Sequence, residues 1–366
     1  MIHPRVGILG AGTMGSGIAV NLAAHGREVI LHDVSEAALA RALETARRFF
    51  ARAAEKGRMT PEAAEAATAR IRTGARLADV RGCDLVIEAV FEDFDLKARV
   101  FAELSEVVAP ETRIATNTSC LRVSELQRHV RRPARFLGLH YFSPAQVNPV
   151  VEVVQGEATA EAVVEEALAF VAETGKLAIR CRDSRGFAVN RYFCPYTNEA
   201  CRLLDEGLGT TAEIDAVAKR AVGAAAGPFF VMNIIKPRIN LHAVRHLEPL
   251  GPFYAPARSL VEHGEADRAF AIGEAGEIPE ARARLLGERL RAATFLPVLQ
   301  ELDEGVATPE AIDLGAREAL KFARPPCALM DELGRTEVTR LLTPLLERYG
   351  IAAPASLARV GALLGG

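Results

Sequence analysis

The stretch "RVGILGAGTMGSGIAVNLAAHGREVILHD" (residues 5–33) decides the fold of the first half of the chain. A short apolar run over 6–9 predicts a strand, a helical pattern follows from Met14 to His25, and a second strand covers 28–32. The turn between the first strand and the helix carries three glycines in the spacing G-x-G-x-x-G. Strand, glycine turn, helix and strand in this order are typical of a unit that binds a dinucleotide.

Each glycine of the turn has a separate physical reason. Gly10 permits a tight turn, Gly12 lets the backbone approach a pyrophosphate, and Gly15 lets the helix pack closely on the strand. The first helical residues, Thr13 and Met14, offer backbone N–H groups and a partial positive charge to the phosphates. A tight turn alone would also use glycines, but the strand before and the helix after this one favour cofactor binding.

Asp33 selects between the two nicotinamide cofactors. It ends the second strand eighteen residues after Gly15, where a carboxylate accepts a hydrogen bond from a ribose 2′-hydroxyl. Its charge repels a 2′-phosphate, so we predict NAD as the cofactor.

Strands and helices continue to alternate after this unit. A helical stretch covers about 35–70, in which Thr60 and Pro61 begin a second helical part. Strands or helices follow over 83–91, 94–108, 113–119, 135–140 and 150–154. This alternation predicts an α/β fold, with a Rossmann-type, mainly parallel, doubly wound sheet over residues 1–185. Ligands of such sheets bind beyond the carboxyl ends of the strands.

Composition argues against several classes of protein. The net charge of −3 and the scattered lysines and arginines give no nucleic-acid footprint. No apolar run approaches the roughly 18–20 residues that span a bilayer, and the given sequence begins almost directly with a strand, so we expect neither a membrane span nor a signal peptide. The six cysteines form no CxxC pair, so we expect reduced thiols in a cytoplasmic protein and no metal site.

The segment "RFLGLHYFSPAQVNPVVEVV" (residues 135–154) holds two polar residues in apolar surroundings. Glu152 is the lone acid of an apolar strand, and burial of a carboxylate there requires a partner. His140 ends the neighbouring strand on the ligand side of the sheet, and histidine is suited to take a proton near neutral pH. A histidine of this kind is often only a satisfied core residue, but a His–Glu pair favours a catalytic base with an orienting acid.

At these residues the chain resembles the L-3-hydroxyacyl-CoA dehydrogenases. The resemblance rests on "GILGAGTMGSGIA", "DLVIEAVFEDFDLK", "ATNTSCL", "LGLHYFSPAQVNPVVEVV" and "GFAVNR". It also rests on Ser119, His140, Glu152 and Asn190, which are 21, 12 and 38 residues apart as in the family. The resemblance is strong over about 1–235.

The resemblance implies an NAD-dependent enzyme that oxidises a (S)-3-hydroxyacyl-CoA to the 3-oxoacyl-CoA. In it His140 is the base, Glu152 orients His140, and Ser119 and Asn190 hydrogen-bond the reacting oxygen of the acyl-CoA substrate. Residues implied on the cofactor side are Glu92 and Lys97 near the ribose, Asn117 near the nicotinamide, and Ser143.

Several of these residues have structural alternatives. Asn190 is also placed to cap a helix that begins near Arg191, and Ser119 to cap a turn. Glu92 and Lys97, five residues apart, are also compatible with a surface ion pair.

The chain departs from the family at a few positions. Ser143 stands where the family often has Asn, Asn233 stands at the position of an acid, and residues 233–256 are unlike the usual segment. These changes leave open an acyl-carrier-protein thioester or a free hydroxy acid as substrate. An alternative of another class is a non-catalytic NAD-binding or structural protein.

The second half of the chain is helical and repeats itself. "LDEGLGTTAEIDAVAKRA" (204–221) aligns without gaps with "LDEGVATPEAIDLGAREA" (302–319), an offset of 98 residues. We therefore predict an all-α region of two tandem related units, over 186–270 and 271–366. In single-copy members of the family the helical domain builds the homodimer, so a second copy within one chain predicts a monomer.

Overall fold

The computed structural model describes residues 2–365. The chain divides into two compact units, one up to Asp183 and one from Ser184 onward.

The first unit is built on one sheet, which confirms the predicted α/β class. Its strand order is β3-β2-β1-β4-β5-β6-β7-β8, and neighbours from β3 to β6 are parallel, β6 and β7 are antiparallel, and β7 and β8 are parallel. The strands are β1 (Arg5–Leu9), β2 (Glu28–His32), β3 (Ile71–Gly74), β4 (Leu85–Glu88), β5 (Arg113–Thr116), β6 (Phe136–Tyr141), β7 (Val150–Gln155) and β8 (Leu177–Arg182).

The α-helices of this unit largely follow the predicted pattern. The predicted stretch 35–70 is two helices, and the Thr60 hydroxyl begins the second by accepting a hydrogen bond from the Ala63 N–H. The helices are α1 (Thr13–Ala24), α2 (Glu36–Glu55), α3 (Pro61–Ala69), α4 (Phe94–Val107), α5 (Val123–Leu126) and α6 (Glu161–Glu173).

The reversal between β6 and β7 positions the candidate site. The connection over 142–149 is too short to carry a crossover helix, so β7 returns antiparallel to β6. In the resulting register His140 lies directly opposite Glu152. Residues that face each other across two strands point to the same side of the sheet, so the two side chains meet.

The second unit contains helices α7 to α14. They are α7 (Asn190–Asp205), α8 (Thr211–Ala221), α9 (Pro228–Ile235), α10 (Pro237–Leu247), α11 (Arg258–Glu265), α12 (Glu280–Asp303), α13 (Pro309–Glu318) and α14 (Pro326–Tyr349).

The repeat found in the sequence recurs in the local structure. Asp215, buried on α8, accepts hydrogen bonds from the first backbone N–H groups of α9, at Phe229 (2.8 Å) and Phe230 (3.1 Å). Asp313, 98 residues later, accepts from the N–H groups of Cys327 (2.8 Å) and Ala328 (2.9 Å) in α14. In both copies, a buried aspartate at the equivalent position thus caps the N-terminus of the equivalent helix.

The two copies also share a kink and meet at equivalent residues. Lys236 separates α9 from α10 at φ +77°, and Gly334, 98 residues later, kinks α14 at the same φ. Ala224 pairs with Phe322, its own counterpart, in an isolated antiparallel bridge. Contact between equivalent residues is the mark of a two-fold arrangement, here formed within one chain.

Within residues 2–365, every helix is either too short or too polar to cross a membrane.

Candidate active site

The glycine turn has the geometry that a dinucleotide requires. Gly10 has φ +102°, and a Cβ there would lie 2.5 Å from the Ala89 carbonyl oxygen. A Cβ on Gly15 would lie 1.8 Å from the Gly10 carbonyl oxygen, so the helix approaches the strand as closely as predicted. A Cβ on Gly12 would meet nothing within 4 Å, which leaves open the space where a pyrophosphate would approach the backbone. Thr13 and Met14 begin α1 directly after it.

A hydrogen bond to the Asp33 side chain ties the glycine turn to the end of β2. The Oδ2 of Asp33 accepts a hydrogen bond from the Ala11 N–H at 2.8 Å, and its Oδ1 accepts one from the Ser35 N–H at 2.8 Å. The carboxylate is therefore held beside the glycine turn, where the fold binds the adenosine ribose of NAD. The donor set of this turn fits the predicted cofactor.

His140 and Glu152 form a buried pair. The Nδ1 of His140 lies 2.6 Å from Oε2 of Glu152, and the side chains are 5% and 0% exposed. The carboxylate accepts from Nδ1–H, which makes Nε2 the acceptor nitrogen of the neutral ring. The Phe142 ring packs on the imidazole with ring centres 4.6 Å apart, which further fixes its orientation. This arrangement suits a base that takes a proton at Nε2.

Glu92 organises the turn that carries Ser119. Its Oε1 accepts hydrogen bonds from the N–H groups of Ser119 (2.9 Å) and Cys120 (3.2 Å) and from the Thr118 hydroxyl. The Thr118 hydroxyl in turn accepts from the Leu121 N–H at 3.0 Å. The Thr118 hydroxyl therefore caps this turn.

Lys97 joins Glu92 to a second carboxylate that the sequence analysis missed. Its Nζ lies 2.5 Å from Glu88 and 3.1 Å from Glu92, and the lysine side chain is 1% exposed. The alternative of a surface ion pair is therefore wrong. Burial alone would lower the pKa of Lys97, but the two carboxylates hold that pKa above its ordinary value. Glu88 also accepts from the Thr116 hydroxyl at 2.7 Å.

Asn117 forms hydrogen bonds with backbone groups at the end of the sheet. Its N–H donates to the Glu88 carbonyl at 2.8 Å, and its Oδ1 accepts from the Tyr141 N–H at 2.9 Å. The side chain therefore ties the end of β5 to the end of β6, one residue after His140. Its predicted place beside the nicotinamide remains a prediction.

Asn190 lies in the second unit, whereas Ser119, His140 and Glu152 lie in the first. It is the first residue of α7, and Val189 holds the N-cap position. The alternative that Asn190 merely caps the helix therefore does not describe this helix start.

Asn233 replaces the family's acid with an amide that makes two backbone contacts. Its Nδ2 donates to the Phe270 carbonyl at 2.9 Å, and its Oδ1 accepts from the Phe270 N–H at 2.8 Å. An aspartate would supply only the acceptor, so the substitution changes how residue 270 is held.

Lys176 is a second functional candidate that the sequence reasoning did not select. It is buried, and its Nζ donates to the carbonyl oxygens of Ala145 (2.7 Å) and Asn148 (2.6 Å). Both carbonyls belong to the loop over 142–149, which joins the His140 strand to the Glu152 strand and contains Ser143. Burial lowers the pKa of Lys176 to about 8. We infer that this ammonium group holds the loop in place.

Replacing Lys176 with methionine is expected to raise the KM for NAD about tenfold with kcat changed less than threefold. Two buried carbonyls lose a charged donor, worth about 1.5–3 kcal/mol, and the loop that carries Ser143 loosens. Steady-state kinetics with varied NAD checks this, with the exposed Lys56→Met as control. Equal changes in both variants, or a loss confined to kcat, would contradict it.

The same variant is expected to alter the pH dependence of stability. Because the pKa of Lys176 lies near 8 in the fold and near 10.5 ordinarily, the folded chain binds fewer protons than the unfolded chain between these values. This group therefore makes the free energy of unfolding rise with pH across that window. Urea unfolding at several pH values should show a smaller rise in Lys176→Met.

Comparisons with known proteins agree with this geometry. Residues 5–184 match the family model "3-hydroxyacyl-CoA dehydrogenase, NAD binding domain", and residues 186–273 match the model of the C-terminal domain of the same family. Over 235 residues the chain is 37% identical to a 3-hydroxyadipyl-CoA dehydrogenase of Escherichia coli (strain K12), covering 64% of this chain and 50% of that protein.

Two further relatives are matched over most of their length. The chain is 36% identical over 264 residues to a 3-hydroxybutyryl-CoA dehydrogenase of Bradyrhizobium diazoefficiens, covering 72% of this chain and 90% of that protein. The crystal structure of a 3-hydroxybutyryl-CoA dehydrogenase from Escherichia coli K12 superimposes with a TM-score of 0.88 at 26% identity, covering 100% of this chain and 99% of that one. The chain thus spans half of the first relative and nearly all of the other two.

Proposed function

The chain belongs to the 3-hydroxyacyl-CoA dehydrogenase family of NAD-dependent oxidoreductases, and on this premise we propose that it oxidises a (S)-3-hydroxyacyl-CoA to the 3-oxoacyl-CoA with His140 as the base. The observation that carries the proposal is the 2.6 Å contact between Nδ1 of His140 and Glu152. A dehydrogenase of this kind needs a proton acceptor as hydride leaves, and the pair supplies one with a fixed tautomer.

Four side chains of the chain take part in the proposed reaction. His140 takes the hydroxyl proton at Nε2, and Glu152 stabilises the imidazolium that forms. Ser119, whose N–H is fixed by Glu92, and Asn190 are the proposed donors to the reacting oxygen, as the family resemblance implies. NAD supplies the hydride acceptor when it is bound.

A substrate panel tests the proposal. We expect NADH formation from (S)-3-hydroxybutyryl-CoA and little from the corresponding free acid, each measured by absorbance under matched conditions. Longer 3-hydroxyacyl-CoA esters would then define the acyl chain preference. Turnover of the free acid with none of the CoA ester would overturn the substrate assignment while leaving the reaction type.

A second candidate substrate class follows from the altered first helical copy. Asn233 replaces an acid there, and Lys236 occupies a positive φ where the second copy has Gly334. A lysine held in this conformation is strained, and such strain is commonly retained for function. The alternative substrate is therefore an acyl-carrier-protein thioester or a free hydroxy acid. The free acid is already in the panel, and adding the (S)-3-hydroxybutyryl thioester of an acyl-carrier protein tests the other.

We also propose that the chain is a monomer. The two helical copies meet through equivalent residues, as Ala224 and Phe322 show, and this provides within one chain the contact that single-copy relatives make between two. Light scattering should give the mass of one chain, 39.3 kDa. A mass of two chains, joined through the first helical copy, would contradict the proposal.

A further inference from the structure

A groove of about 630 Å³ lies among α8, α12 and α14 of the second unit. This volume is within the range of small-molecule sites, roughly 300–1,000 Å³. The floor includes Gly287, and the charged lining is Arg220, Arg284, Arg291, Arg340, Glu288 and Glu337.

The charges of the groove do not balance. Arg340 lies 2.7 Å from Glu288 and 2.7 Å from Glu337, so one guanidinium accounts for both carboxylates. Arg220, Arg284 and Arg291 form no ion pair with any residue in the part of the chain that the structure describes. The groove is thus markedly positive on a chain whose net charge is −3.

Arg291 shows this imbalance most directly. It is half-buried, and its Nε donates to the Ala221 carbonyl at 2.9 Å, which fixes the guanidinium at the groove wall. Burial and the nearby charge of Arg324 lower the pKa of Arg291 from its ordinary value. The carboxylates of Glu332, Glu337 and Glu288 act on that pKa in the opposite direction, so an anion bound beside Arg291 would add to a compensation that the fold supplies only in part.

The groove lies where α8 of the first copy meets α12 and α14 of the second copy. Subtracting the offset of 98 places Glu288 and Arg291 at Asn190 and Phe193 of the first copy. In the same way Arg340 corresponds to His242. The part of the groove that the second copy supplies therefore corresponds to the Asn190 face of the first copy, with charged residues at these three positions.

We propose that this groove binds a nucleoside diphosphate. Guanidinium groups match phosphate oxygens in a bidentate manner, and three unpaired ones suit a group with more than one negative charge. Glu288, which lies between Arg284 and Arg291 on α12, and Glu337 on α14 supply acceptors for the hydroxyl groups of a ribose. The site is separate from the glycine turn, which lies in the first unit.

Calorimetric titration of the full chain with ADP tests the proposal. We expect two ADP molecules per chain, one at the glycine turn and one in the groove. Gly12→Val should remove the first only. Arg220→Gln with Arg284→Gln should weaken the second at least tenfold and leave NADH binding unchanged, since both arginines are exposed and form no ion pair.

The matched control removes two exposed arginines outside the groove that likewise form no ion pair within residues 2–365, Arg268→Gln with Arg359→Gln. This variant should keep both ADP molecules. A single ADP per chain in the wild type would overturn the proposal. So would a second ADP that survives the groove variant, or an equal loss in the control.

Discussion

Replacing His140 with asparagine is expected to lower kcat by about 10²–10⁴-fold, the usual contribution of a general base. Asparagine keeps a polar group opposite Glu152 but has no nitrogen that accepts a proton near neutral pH. The glycine turn and Asp33 lie on β1, α1 and β2, away from the β6–β7 pair in sheet order. NAD affinity should therefore change less than threefold.

The measurement is steady-state NADH formation together with NAD binding by calorimetry. His263→Asn is the matched control, because His263 lies near the end of α11 in the second unit, where its Nδ1 contacts the Arg268 carbonyl and its ring stacks on Phe270. Undiminished turnover of His140→Asn would mean that another residue is the base and that the His140–Glu152 pair is not catalytic. A parallel loss of NAD affinity would indicate that the substitution disturbs the sheet.

Replacing Lys97 with methionine is expected to lower the free energy of unfolding by about 3–5 kcal/mol, the usual effect of removing one partner of a buried ion pair. Glu88 is fully buried and would lose Lys97, its ion-pair partner. Burial would raise the pKa of Glu92, and Lys97 helps to hold that pKa below its ordinary value, so both carboxylates are affected. The turn that carries Ser119 should loosen as a result.

Denaturant unfolding monitored by circular dichroism measures this loss. Arg48→Met is the control, because its ion pair with Glu44 is exposed and worth about 0–1 kcal/mol. Lys97→Met combined with Glu88→Leu should recover most of the stability, since no charge is then left buried in β4. A loss below 1 kcal/mol for Lys97→Met alone would contradict the account.

The first βαβ unit and the His140–Glu152 pair could be predicted from the sequence because each depends on residues with a clear local signal. Gly10 and Gly15 stand where a Cβ would meet backbone atoms. Glu152 interrupts an apolar strand, and a buried carboxylate needs a partner. The same reasoning applied to "DLVIEAV" would have found Glu88, which likewise ends a buried strand.

The two edge strands of the sheet, β3 and β8, could not be predicted from the sequence. β3 has one buried residue among four, and β8 alternates buried Ile179 and Cys181 with exposed arginines. Edge strands bury one face at most, so their apolar signal is short and resembles that of a loop. Predicting that β7 runs antiparallel to β6 would also have required attention to the length of the connecting loop, because parallel strands need a longer crossover.

Lys176 could not be recognised from sequence because its partners are backbone carbonyls. A carbonyl carries no side-chain signature, and the residues that supply them, Ala145 and Asn148, are far from it along the chain. The helical repeat, by contrast, was visible because side chains such as Asp215 and Asp313 perform the same capping in each copy.

The most direct test of the central claim is a crystal structure of the chain with NAD and a 3-oxoacyl-CoA. We expect Nε2 of His140 to lie about 2.6–3.2 Å from the 3-oxygen of the ligand, with Nδ1 still bonded to Glu152. An imidazole that leaves Glu152, or whose Nε2 points away from that oxygen, would contradict it.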